Sequence, residues 1–424
     1  MLYQQQKLLN DLLFGSFALF IFGSTFSIAL AQVALGLSLI LFIIVAIGTR
    51  YNPFVAELKW FYIFTGLYIV WMFIASLLGD TPVESLLIMK EEWLFSAIPI
   101  GIYLMSRDNY RRTLLTAFAV GIGVFTLYGL LQFFTGVHWT KPVPPNPGRE
   151  FGYVIKGNFP SPMTFGNFFG TAGAFFAGYV LGQWSKLDNT SKVLYGGAAL
   201  TAILGTIGSY NRGAIVGLFV GFVVLSLLLR NRKILLGTGA IVALVVVLVI
   251  IFPGPRQRLS EHFELQLSPA YEGGRVFIWN NSLKIVAEHP VFGVGQGNFR
   301  YEYLKLLRPD IPDRRKRVHA HNDFINVATI AGVPGMLFFA GIWIAVFCYV
   351  RRQIKTAENR ASPLLVAALT GSVVFLVSSL TESTFADEEV RQMLMFIWAT
   401  GLFAMYPRLG NSAGTSEQPG SKSS

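Results

Sequence analysis

The sequence predicts an all-α polytopic membrane protein of about twelve transmembrane helices, and three observations carry that reading. Of its 424 residues 53% are hydrophobic and only 13% charged, against the roughly 25% charged residues usual in a soluble domain. Apolar runs near 10–28, 31–48, 59–78, 85–105, 113–135, 162–182, 193–209, 213–230, 234–252, 334–350, 363–380 and 390–406 are punctuated by turn residues or charge. About 20 such residues in a helix cross a hydrocarbon layer of ~30 Å. The third observation is that Lys and Arg collect on alternate connections, as the positive-inside rule requires when the spans are counted correctly.

Taken in order, the first run leads to Ala29-Leu30-Ala31, which resembles a signal-peptide cleavage site. The apolar stretch resumes at once, through Ile47, so two uncleaved spans are expected. Arg50 and Lys59, then Arg107, Arg111 and Arg112, then Lys186 and Lys192, then Arg230, Arg232 and Lys233, then Arg351, Arg352, Lys355 and Arg360 fall on one side. That side is expected to be cytoplasmic and to hold both termini. The external side receives Asp80 and Glu84, the 137–161 loop, the Tyr210-Asn211-Arg212 turn, the long segment 253–322, and Glu382 through Glu389. Residues 1–409 read as one transmembrane helical domain, and the Gly- and Ser-rich stretch 410–424 as a disordered cytoplasmic tail. Cys348 is the single cysteine, so a disulfide framework, a redox pair and a cysteine-rich zinc site are excluded. Lys90, Glu91 and Glu92 are the strong ionisable candidates inside a span; they mark either a broken, interfacial helix or the substrate path of a transporter.

Chemistry is expected outside, where all five histidines, His138, His262, His289, His319 and His321, fall. In the long segment, Val276, Trp279, Leu283, Val286 and Ala287 recur at helical spacing between Gly273-Gly274 and Pro290. Phe299, Tyr303, Leu306 and Leu307 predict a second helix ending before Pro309. Both helices suit the outer membrane surface or a cap on the bundle. Further on, Asn322 or Asp323 is the expected N-cap of a short helix that ends near Gly332 and Pro334. His321 would then sit at a positive helix end, which can hold a phosphate and keep an imidazole neutral enough to accept a proton; a purely structural capping role is the alternative. Arg212, in a short turn between apolar spans, and Arg275, at the start of an amphipathic helix, suit bidentate phosphate binding or snorkelling to headgroups. The basic run Arg314 to Arg317 suits anionic lipid or a solvated loop. His319 and His321 offer two zinc ligands without an identifiable third, so no metal is expected.

Four patterns, taken together, resemble the Wzy_C superfamily of O-antigen ligases, O-antigen polymerases and bacterial O-oligosaccharyltransferases. They are Gly157-Asn158-Phe159-Pro160-Ser161-Pro162; Ser209-Tyr210-Asn211-Arg212-Gly213-Ala214; Arg275 to Trp279 followed by Pro290-Val291-Phe292-Gly293-Val294-Gly295-Gln296-Gly297-Asn298-Phe299; and His319-Ala320-His321-Asn322 with Gly332-Val333-Pro334-Gly335. The resemblance covers roughly residues 157–335 and leaves the first four spans unmatched. It implies a membrane glycosyltransferase (GT-C-like) fold in the bacterial inner membrane. It also implies an undecaprenyl diphosphate-linked glycan donor and inverting, metal-independent and cofactor-free transfer on the periplasmic face. Carried over by motif, Arg212 and Arg275 look like diphosphate-binding residues and His321 like the base, with His319 a second candidate. The family's serine before the first arginine is displaced here, because Tyr210-Asn211 separates Ser209 from Arg212. A compact chain leans toward a ligase over a protein O-oligosaccharyltransferase, and the motif set toward a ligase over a polymerase, with lipid A-core as acceptor; from another class, a lipid-linked sugar flippase is the competitor.

Overall fold

A computed structural model describes residues 2–139, 152–251, 264–307, 319–356 and 362–404. The basic run Arg314 to Arg317, His262 and the tail 410–424 lie outside the described residues. Among the described residues the regular structure is helical. The helices are α1 Leu2–Gly23, α2 Ile28–Thr49, α3 Lys59–Leu78, α4 Pro82–Met89, α5 Ala97–Met105, α6 Asp108–Thr135, α7 Pro162–Gly182, α8 Asn189–Gly208, α9 Arg212–Leu229 and α10 Arg232–Ile251. After these come α11 Arg275–Glu288, α12 Phe299–Lys305, α13 Asp323–Thr356, α14 Pro363–Ser379 and α15 Glu388–Ala404.

Five stretches, Ile28–Thr49, Ala56–Leu78, Asp108–Thr135, Arg212–Leu229 and Asp323–Gln353, are long and apolar enough on their own to cross a membrane. That composition makes this a multi-pass membrane protein. Eleven of the twelve expected runs each coincide with one helix, whereas the fourth, expected as a single span over 85–105, does not. It is broken into α4, a 3-10 turn Lys90–Ser96, and α5. The break falls at Lys90-Glu91-Glu92, where a continuous apolar helix would have carried three charges through the hydrocarbon.

Several connections that Lys and Arg assign to the same group are bonded to one another. At one end, Arg107 Nη1 donates to Asn10 Oδ1 (3.3 Å), Tyr110 OH to Asp11 Oδ1 (2.6 Å) and Trp60 N–H to Tyr349 OH (3.2 Å). The other group of connections is laced just as directly. Ile155 N–H donates to Gly208 O (3.2 Å), Thr81 Oγ1 to Asn298 Oδ1 (2.6 Å) and Asn322 Nδ2 to Leu380 O (2.9 Å).

At the centre, α7 packs against α8, α9 and α14. Phe165, Phe168, Phe169, Phe175 and Phe176 are fully buried along it, while its small residues let neighbouring backbones approach. Helix α13 packs on α3, and α15 on α5 and α14. It is α13 that receives the long external segment, at a kink over Gly332, whose φ of 68° and ψ of −178° interrupt the helix. Pro334 has no N–H, which frees Ile330 O; Val333 N–H turns away to Pro290 O (2.8 Å), which frees Thr329 O. Both carbonyls are taken by the incoming segment, through Gly295 N–H (3.0 Å) and Val294 N–H (2.9 Å). A side chain at Gly332 would put its Cβ 2.1 Å from Val291 O, so the docking requires glycine there.

Helix α11 packs on α13 and on α12. Ile278, Ile285, Val294, Phe299, Tyr303 and Ala320 form a core of their own. The face that α11 buries differs from the expected stripe: Ile278, Asn281, Ser282 and Ile285 point inward, while Leu283 and Ala287 face out.

Candidate active site

The laced end of the bundle brings Arg275, His319 and His321 together around a residue that the sequence reading had not singled out. Glu382, in the turn between α14 and α15, is only 9% exposed. Its Oε2 lies 2.7 Å from His321 Nδ1, and its Oε1 pairs with Arg275 Nη2. Burial by itself would raise this carboxyl. The hydrogen bond from His321 and the positive charge of His321, Arg275 and His319 outweigh burial and hold it below the ordinary carboxylate value.

His321 owes its position to the backbone. Its φ of 53° is left-handed, a conformation that costs a non-glycine residue about 1–3 kcal/mol and persists only where the surroundings impose it. Both flanks do so. Ala320 N–H donates to Asn326 Oδ1 (3.2 Å) and Asn322 N–H to Ser383 Oγ (3.2 Å). Of the two expected caps Asn322 is the one used, its Oδ1 accepting from Ile325 N–H at 3.0 Å. Asp323 instead ties α13 to the Glu382 turn, accepting from Thr384 Oγ1 (3.0 Å) and Phe385 N–H (3.0 Å). The result is a helix start locked against the turn that carries Glu382. Trp279 Nε1 adds a bond to His321 O at 3.4 Å from α11. With Nδ1–H directed at the carboxylate, the lone pair of a neutral His321 is on Nε2, the nitrogen able to take a proton. The His319 ring stands 4.4 Å from that of His321, centroid to centroid, at 69°.

Arg212 opens α9 at the same end. Asn211 caps that helix, its Oδ1 accepting from Ala214 N–H (3.2 Å) and its Nδ2 donating to Met163 O (2.8 Å) and Asn167 Oδ1 (2.7 Å). Ser209, displaced from the arginine, closes the turn by accepting from Asn211 N–H at 3.3 Å. A Cβ built on Gly166 would stand 2.5 Å from Ser209 Oγ, so only glycine on α7 lets this turn approach. One on Gly213 would stand 2.6 Å from Thr381 Oγ1, which puts the first turn of α9 beside the residue preceding Glu382. The structure thus joins Arg275 and His321 through Glu382 and brings the helix end bearing the exposed Arg212 up to the same turn.

Two acidic features complete the site. Burial pushes Asp387 up to about 7 against the bond from Thr164, with Glu389 and Glu382 adding to the rise. Glu91 and Glu92, at the break in the expected fourth span, meet Arg391 of α15, at 2.6 Å and 3.1 Å. Glu382 could have been found from sequence by the argument used for Arg212: a charged residue in a short external turn between two apolar spans.

No curated protein matches the chain. Residues 197–340, a stretch that holds Arg212, Arg275, His319 and His321, match the family model Wzy_C, O-antigen ligase, and this is the family that the four sequence patterns resemble.

Proposed function

We propose that the protein is an O-antigen ligase that transfers a glycan from undecaprenyl diphosphate to the lipid A-core oligosaccharide. The observation that carries the reading is the Arg275–Glu382–His321 cluster at the start of α13, whose arginine and histidine lie inside the matched region. In the proposed step His321 Nε2 takes the proton of an acceptor hydroxyl as its oxygen bonds to the anomeric carbon from the face opposite the leaving group. The bond from that carbon to the diphosphate oxygen breaks, and its electron pair leaves with undecaprenyl diphosphate, so the configuration inverts. Glu382 holds the imidazole in the tautomer that presents Nε2 and stabilises the imidazolium that forms. Arg275, with Arg212 from the adjoining helix end, offsets the charge developing on the diphosphate, without a metal ion.

In this reading residues 1–409 form one membrane domain of the GT-C-like kind with twelve spans. It lies in the bacterial inner membrane with both termini cytoplasmic and the cluster facing the periplasm. The positive-inside distribution supports that orientation. The pairing of Glu91 and Glu92 with Arg391 near the start of α15 favours an enzyme over a flippase, whose ionisable groups gather near the bilayer midplane.

The test is transfer by the purified protein from undecaprenyl diphosphate-linked glycan to lipid A-core in the presence of a chelator, comparing wild type with His321→Ala. Chelator-resistant product that is lost in a folded His321→Ala variant is expected. Unchanged activity in the variant would remove His321 as base. Product formed only on protein or on a second donor glycan would turn the assignment to an oligosaccharyltransferase or a polymerase.

A further inference from the structure

Behind the histidine pair lies a polar cavity of about 190 Å³, by volume room for about six water molecules. Glu92, Gln296, Arg391 and His319 line it together with the rings of Tyr68 and Phe385. Three of its polar atoms lack a hydrogen-bond partner although they are out of contact with solvent: Glu92 Oε2, Gln296 Oε1 and Arg391 Nε. The residues that own them are 3%, 8% and 3% exposed. Their orientation is not accidental. Gln296 Nε2 donates to Glu92 Oε1 (3.3 Å) and Arg391 Nη1 donates to the same oxygen (3.1 Å), which leaves Glu92 Oε2, the amide oxygen of Gln296 and Arg391 Nε without a partner. Buried polar groups without partners are costly and rare, and two acceptors and one donor on residues in the wall of one space suit a ligand that both gives and receives hydrogen bonds.

We propose that this cavity is the acceptor subsite and takes one sugar ring of the acceptor oligosaccharide, its hydroxyls exchanging hydrogen bonds with the side chains of Glu92, Gln296 and Arg391. The proposal rests on the glycan-transfer reading and adds to it where the acceptor sits. Charge decides between the acceptor and the donor's diphosphate end. Glu91 and Glu92 pair with Arg391 here, which occupies the guanidinium that a diphosphate would need and suits a neutral polyol. Aromatic walls with a few placed polar groups are the composition of a small-molecule site. The position is also right for reaction. His319 lines the cavity, and its ring touches that of His321, whose other side is the Arg275–Glu382 pair. A sugar seated here and a diphosphate held at the arginines would meet at the histidines.

The experiment uses the full-length protein in detergent and the delipidated core oligosaccharide as probe. Saturation-transfer NMR reports binding, and the transfer assay reports KM separately for acceptor and donor. Gln296→Leu keeps the volume and removes the amide, both its oxygen and the nitrogen that bonds Glu92; Ala386→Trp, at an exposed position on the rim, narrows the cavity and leaves the polar groups intact. Both variants are expected to weaken probe binding and raise the acceptor KM about tenfold or more, the effect of one lost buried hydrogen bond, with the donor KM unchanged. Wild-type protein that does not bind the probe, or folded variants with an unchanged acceptor KM or a raised donor KM, would overturn the subsite. Probe binding sensitive to Gln296→Leu without any transfer by wild type would keep the sugar site and reject the ligase reading instead.

Discussion

At the start of α9 a left-handed residue, Tyr210, precedes a capping asparagine, and at the start of α13 His321 precedes Asn322 in the same way, with φ of 57° and 53°. In both, the asparagine Oδ1 accepts from the N–H three residues on, at 3.2 Å and 3.0 Å, and its Nδ2 donates to a carbonyl of a neighbouring element, Met163 O or Leu380 O. One backbone device therefore serves twice. The two starts differ in what stands opposite them. The Tyr210 side chain is 37% exposed, whereas the His321 side chain is 14% exposed and lies on Glu382. A strained turn and a capped helix are local chemistry, and the carboxylate against His321 is what makes the α13 start a candidate site.

Replacing each left-handed residue by glycine is the sharpest way to break the comparison. Either change relieves about 1 kcal/mol or more of backbone strain. His321→Gly is nonetheless expected to lower transfer about 10²- to 10⁴-fold, the usual contribution of a general base, with the thermal midpoint held or raised, while Tyr210→Gly leaves turnover near wild type. Equal losses in the two variants would mean that the strain, and not the imidazole, is what the site uses.

Glu382→Gln tests the difference itself. It keeps the shape and removes the charge opposite His321, and an expected fall of about 10- to 100-fold in transfer corresponds to one charged hydrogen bond. An unchanged rate would reduce Glu382 to a structural tie.

The caps should then separate by burial. Asn211 is 3% exposed and bonded on both sides of its amide, so Asn211→Ala is expected to destabilise by about 2–3 kcal/mol against about 1 kcal/mol for Asn322→Ala, read as thermal midpoints in detergent. The reverse order would show that the α13 start is held by the Asp323 contacts less than by its cap.

The smallest effect concerns Asp387. A carboxyl raised by folding contributes stability that is fully present below its ordinary value of 3.8 and is lost as pH climbs through about 7. Asp387→Asn, which stays neutral, should therefore raise the midpoint by a few degrees at pH 8 and progressively less toward pH 4. A gain independent of pH would rule out ionisation as its cause.

Much of this molecule was legible before any coordinates. Apolar runs and Lys/Arg alternation located the helices and divided their connections into two groups, because burying backbone in lipid leaves a chain few options besides helices, and the positive-inside rule acts on short loops one at a time. The motif residues Arg212, Arg275, His319 and His321 were named for the same reason: each stands beside a local signal, a turn, a helix start or a cap. Three things waited for the tertiary structure. The broken helix that Lys90-Glu91-Glu92 already suggested acquired its partner, since Arg391, about 300 residues away, receives the two carboxylates. Helix α11 turned Leu283 outward because Ile278 and Ile285 had a separate core to join, a choice that periodicity alone does not make. Glu382 became the centre of the site only when α14 and α15 brought their turn against the start of α13. Contacts between residues far apart in the chain depend on packing that no local pattern encodes, so the sequence determined which groups could do chemistry and the fold decided which of them meet.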